Sequence, residues 1–333
     1  MFFSWYKKFS SQPHQPFFTS GILFLILFMS LFVSVYSNFL VLDNSVLTYH
    51  AYTMVFVIFI QFFLGFLFVV FPRFLIQAEI QIQEYMKQFL LYFFASLGIF
   101  LTLIFYSKVT FIFQILMLIA QIMSFKLLYS IHKKSIVKVK EDTKWVLISL
   151  FSGLVFHSLF IISSLNFPYA YELSRFAIDG GFYLFLFMVI FVISQRMIPF
   201  FTTAKAPNYV ANKSVNLLTI IFSLLAFKVI LLAFDNAKLN LLADIPLFIM
   251  ITRELIKWKL PFFKSPAIMW VLFLGLYWIP VAFFVSIIEG LMAFYDPTII
   301  FEKAVIHTMA LGYFLTVLIG FGTRVILGHS GTT

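Results

Sequence analysis

Six histidines and no cysteine set the ligand chemistry open to this chain. Imidazole nitrogen ligates haem iron and copper alike, whereas thiolate metal sites, iron–sulfur clusters and disulfides all need the absent sulfur. His50, His157 and His307 fall at the ends of, or within, long apolar runs, and His329 closes the last of them. Lipid penalises ionisable groups at such positions, so each is a candidate functional residue. For any single intramembrane histidine a hydrogen-bonded packing role competes with ligation. Two at matching depth on different helices favour ligation. Asp179, Lys228, Asp244 and Glu289 share the apolar setting. Lys228 with Asp179 or Asp244 is most simply a structural ion pair, and a proton or ion relay is the sharper reading.

The elements that must position these residues are membrane helices. The 333 residues are 62% hydrophobic and 11% charged, with a mean hydropathy of +1.03. A soluble domain carries about a quarter of its residues as charges, so that class is excluded. Spans of about twenty apolar residues fall near 16–41, 49–72, 87–106, 108–131, 144–165, 174–201, 213–234, 238–257, 266–290 and 302–325. The eighth is interrupted by Asp244, Arg253 and Glu254. The first run, from Phe17, is too long for a signal peptide and has no small-residue cleavage site, so it reads as a retained helix.

A formal charge of +10 could suggest nucleic acid, but the placement of the charges points to topology instead. Alternate loops collect nearly all the lysines and arginines; only Lys108, Arg175, Lys238 and Lys303 fall on the opposite side, with Lys228 inside a span. Basic loops stay in the cytoplasm. The expected fold is therefore all-α: a polytopic membrane helical bundle of about ten spans, with both termini cytoplasmic. It forms a single transmembrane domain, 1–333, whose halves 1–131 and 144–333 are joined by a basic cytoplasmic loop, 132–143. No Gly-rich phosphate loop, Ser/His/Asp arrangement or soluble enzymatic domain is evident.

This threading puts His50 and His307 near the outer ends of their helices and His157 about two turns short of the outer end of its own. Arg196, Arg324 and His329 fall at the inner face, where arginine can serve topology or bind a carboxylate in a forked geometry. The 22 residues from His307 to His329 span about 33 Å of unbroken helix, so these two cannot share a metal. Thr308, Gly312, Thr316, Gly320, Arg324 and Gly328 recur at four-residue steps and mark one stripe of the last helix. Such a stripe admits either a closely packed helix or a flat cofactor.

Three blocks carry a resemblance: Tyr49-His50-Ala51-Tyr52, Arg196-Met-Ile-Pro199-Phe-Phe-Thr202, and the His307-led helix ending in Thr323-Arg324-Val-Ile-Leu-Gly-His329-Ser-Gly331. In this order they resemble the NnrS family of polytopic membrane proteins, described as containing haem and copper and linked to the bacterial response to nitric oxide. Tyr52 stands where that family usually has a second histidine, and Thr53 where it usually has glutamate. The chain also ends just after Gly331, where the family usually continues through further helices. The resemblance implies a bacterial inner-membrane protein binding haem, and copper as a second candidate, with nitric oxide as ligand. Cofactor-binding candidates are His50, His307, His157, Arg196 and Arg324; metal candidates are His50, His307 and His329. Two other classes stand beside this one: a secondary transporter of a small ion, metal or cofactor, and a non-catalytic membrane protein partner in a larger complex.

Overall fold

The computed structural model describes residues 2–330 apart from Asp43, Asn44, Asn166, Pro207, Pro297 and Glu302. Every regular element among the described residues is helical. In chain order they are α1 (Phe2–Phe9), α2 (His14–Tyr36), α3 (Val46–Phe74), α4 (Ile82–Phe105), α5 (Thr110–Lys134), α6 (Glu141–Ser163), α7 (Ala170–Ala204), α8 (Leu217–Leu232), α9 (Ala237–Trp258), α10 (Ala267–Tyr295) and α11 (Ala304–Val325 and on to Ser330).

Eight helices among the described residues are long and apolar enough to cross a membrane. The two expected spans not among them differ for physical reasons. Helix α8 has 16 residues, about 24 Å of rise, against a hydrocarbon core of about 30 Å. Helix α9 has 22 residues but carries Lys238, Asp244, Arg253, Glu254 and Lys257. The all-helical, polytopic character expected from the sequence is what the structure shows.

The chain forms two compact units, Met1–Val189 and Ile190–Thr333, with the boundary inside α7. The expected linker 132–143 lies within the first. There the Lys140 ammonium donates to the carbonyls of His132 and Ser135, at 3.1 and 2.6 Å, while Ser135 reaches the Leu75 carbonyl at 3.0 Å. These bonds fold the basic loop back on the end of α5 and tie it to the end of α3.

Helix α3 is the centre of the first unit. Its most apolar stretch is 94% buried, as suits a helix hydrophobic all round. It packs on α2, α5 and the first part of α7. Ser45 caps its start by accepting from the Thr48 amide at 3.4 Å. Glu141 and Asp142 open α6, where acidic groups oppose the positive end of the helix dipole.

In the second unit α9 and α10 form the most extensive pairing, flanked by α8 and α11. A buried ion pair ties three of these helices. Lys228 on α8 donates to Asp244 Oδ1 at 2.5 Å, and Ser286 on α10 donates to the other carboxylate oxygen at 2.6 Å. The structure thus pairs Lys228 with Asp244, whose carboxylate is satisfied on both oxygens. The small-residue stripe of α11 faces α10: a Cβ on Gly312 would sit 2.6 Å from Trp278, and one on Gly320 2.6 Å from Leu272. Close helix packing, the plainer of the two readings of that stripe, accounts for these glycines.

Candidate functional site

In the first unit the residues with chemistry converge on His157, which is fully buried. Tyr52 Oη lies 3.0 Å from its Nε2, and Gln121 Oε1 lies 2.8 Å from its Nδ1. The proton positions follow from the next bond outward. Gln121 Nε2 donates to the Phe56 carbonyl at 2.8 Å, so Oε1 is the acceptor end of the amide and His157 Nδ1 carries the hydrogen. Nε2 is then the lone-pair nitrogen and accepts from the Tyr52 hydroxyl. His157 is a neutral imidazole with both nitrogens engaged. Phe56 stacks on it at 4.8 Å and 14°, and Phe185 stacks on Phe56 at 6.3 Å and 12°. Phe160 covers Tyr52 at 4.4 Å.

The backbone explains why the Phe56 carbonyl is open to Gln121. Met54–Ile58 is a π-helical turn inside α3, in which hydrogen bonds run five residues back and one carbonyl per turn loses its α-helical partner. Two glutamines answer this irregularity: Gln121 at Phe56, and Gln61 at the Val57 carbonyl, 2.8 Å away. A second π turn, Gly181–Phe187 in α7, packs beside the first. A Cβ at Gly181 would come within 2.5 Å of Phe56, so only glycine lets α7 approach so closely.

His50 sits one turn before the first π segment, half-buried, with the Phe32 ring 4.5 Å from its own. It lines a cavity of about 10 Å³ among Phe28, Phe32, Tyr49, Thr53 and Leu103. That is room for about one water, against several hundred Å³ for a small-molecule site. A porphyrin does not fit there.

In the second unit the middle and last sequence blocks meet. Tyr313 donates to Ser194 Oγ at 3.1 Å. Phe201, from the Arg196–Thr202 block, lies 6.2 Å from Phe321 and under the Arg324 guanidinium at 4.0 Å. Arg324 Nη1 also points at Met269 Sδ, 3.5 Å away. Arg196 lies on the same turns of α7, two residues after Ser194 and partly buried. The side chain of His329 lies outside the described residues.

His307 is exposed, and its Nδ1 is 2.9 Å from the Lys303 carbonyl. A carbonyl only accepts, so Nδ1 bears the hydrogen, and in the neutral ring Nε2 is the lone-pair nitrogen. Metal-ligating histidines are commonly held this way, with the second ring nitrogen donating to a backbone carbonyl. The donor chemistry of His307 would therefore suit a haem iron. A third π segment, Thr308–Leu315, follows it directly, and Thr316 Oγ1 bonds the carbonyl five residues back, at Leu311, at 3.2 Å. For copper, no cluster of three His, Cys, Asp or Glu side chains occurs among the described residues.

Sequence reasoning places the histidines and arginines correctly on helices but does not reveal Gln121, Gln61 or Ser194, which are neutral and sit in apolar runs. The π segments carry no composition signal either. Their one legible trace is position: all three lie on the helices that bear the three sequence blocks.

The family described as NnrS protein matches residues 8–333. No curated protein and no solved structure matches the chain significantly. With nearly the whole length matched, and all three blocks on π-containing membrane helices, the chain belongs to the NnrS family.

Proposed function

We propose that this is a haem-binding protein of the bacterial inner membrane, with both termini cytoplasmic, acting in the response to nitric oxide. Its family makes it a membrane protein related to that response; haem ligation is the finer reading. What supports it is His307, whose Nδ1 donates to the Lys303 carbonyl at 2.9 Å, the arrangement in which a histidine ligates a metal through its other ring nitrogen. Haem iron, when bound, supplies the orbital that takes nitric oxide.

The chain's own residues supply the rest. Lys303 holds the His307 ring, and the Tyr313–Ser194 bond anchors the π segment that follows it. Arg324, 4.0 Å from the Phe201 ring centroid, lies 17 residues from His307, about 26 Å along the helix, so it and Arg196 are assigned no part in holding a haem at His307. His157 is assigned away from ligation, because both its nitrogens are already used inside the first unit. His50 is assigned away as well, because the cavity it lines has room for about one water. Copper is assigned to no described cluster.

The test is a visible spectrum of protein purified after haem-replete expression. A Soret band that shifts when nitric oxide is added to the reduced protein is the expected result. Absence of a Soret band contradicts the proposal.

A further inference from the structure

The described atoms of the first unit leave one buried polar cluster unsatisfied. Gln114 and Thr110 on α5 are 0% and 1% exposed. Both ends of the Gln114 amide and the Thr110 hydroxyl lack any hydrogen-bond partner. The Tyr49 phenol makes at most a weak hydrogen bond with the amide, outside strict geometry. Leaving a buried polar atom unpaired costs about 1–3 kcal/mol, and native proteins avoid it, commonly with an internal water.

The cluster has a definite place. Tyr49 beside Gln114 and Phe56 bonded to Gln121 share the sequence offset of 65, so α3 and α5 run parallel and in register. Thr110 opens α5 and Gln114 lies one turn in, while Tyr49 is in the first turn of α3. The unsatisfied groups therefore sit at the mouth of the helix pair. One turn deeper, Tyr52 lies edge-on to Tyr49 at 6.2 Å and bonds His157. Deeper again, a cavity of about 10 Å³ touches Gln121, Tyr92 and Ser124 beside Gly153 and Phe185. Ser124 continues the polar column by donating to Gln88 at 2.6 Å.

We propose that these groups form a water-entry path: one site at Thr110, Gln114 and Tyr49, and a second in the cavity at Gln121 and Ser124, with the Tyr52–His157 pair between them. The ligand is water, because the unpaired atoms present both donors and acceptors and carry no charge, and the cavity at Gln121 and Ser124 is about the size of one water. The path brings solvent from the ends of α3 and α5 to a phenol and an imidazole that no bulk water touches.

Hydroxyl-radical footprinting in ¹⁸O-labelled water, on the full-length protein in nanodiscs, tests it without any cofactor. Radicals generated from internal water modify only adjacent side chains. Tyr52, 0% exposed, is expected to gain label in the wild type. Gln114→Leu is expected to lower that labelling about tenfold and to lower the melting temperature, while Gln114→Asn keeps labelling within about twofold. Should Gln114→Leu fail to fold, Thr110→Val serves the same comparison. An unlabelled Tyr52 in the wild type, equal labelling in the leucine variant, or a raised melting temperature for that variant overturns the proposal, the last because a dry site gains by losing an unpaired amide.

Discussion

At the scale of single residues, hydrogen-bond direction carries more information than residue type. His157 and His307 look alike in the sequence, each an imidazole in an apolar stretch. Following the donors outward separates them. His157 gives Nδ1–H to Gln121 and accepts from Tyr52, while His307 gives Nδ1–H to its own helix. The partner Gln121 lies 36 residues from His157, and Tyr52 lies 105, so nothing local in the sequence announces them. Tyr52→Phe leaves Nε2 of His157 buried and unpaired, and is expected to cost about 1–3 kcal/mol of unfolding free energy. The double variant Tyr52→Phe/His157→Phe is expected to cost less than the sum of the singles, read from denaturant unfolding in mild detergent. The ion pair was more legible, since a buried lysine needs a carboxylate and few are within reach. Lys228→Met is expected to cost about 3–5 kcal/mol by stranding Asp244, and Lys228→Met/Asp244→Leu to recover most of it.

Elements show where periodicity misleads and where it holds. Four-residue steps on an α-helix overshoot a turn by about 40°, so a stripe such as Thr308–Gly312–Thr316–Gly320 should drift off its partner. In the π segment Thr308–Leu315 each turn takes more residues, the same step falls short, and the two deviations offset. The stripe stays on α10 as a result. Hydropathy patterns cannot show this, because π and α turns in membrane helices use the same apolar residues. Gly312→Leu forces bulk into Trp278, which a Cβ alone would approach to 2.6 Å. Expected is a loss of about 1–3 kcal/mol, measurable as a lower unfolding midpoint, with Leu311→Ile on the exposed side close to wild type.

For the molecule as a whole, composition and charge placement were enough to read an all-α membrane protein, because a bilayer admits few other architectures. Span number was less legible. Helices α8 and α9 deviate through length and charge, and beside their apolar contacts they bury the Lys228–Asp244 pair closed by Ser286. Sidedness rests on charge asymmetry, and the absence of cysteine makes it simple to test. Single variants Lys138→Cys and Lys108→Cys are expected to react with an impermeant maleimide from opposite sides of the cytoplasmic membrane: Lys138→Cys only after the inside is opened, Lys108→Cys in intact spheroplasts. The reverse pattern would invert the topology.

Ligation by His307 bears the functional reading, and optical spectroscopy of matched variants interrogates it most directly. Wild type, His50→Ala, His157→Phe and His307→Ala are to be purified after haem-replete expression and compared at equal protein concentration. The account predicts a Soret band in the wild type that survives in His157→Phe and is lost or strongly shifted in His307→Ala. A band unchanged by His307→Ala, or abolished only by His157→Phe, contradicts it.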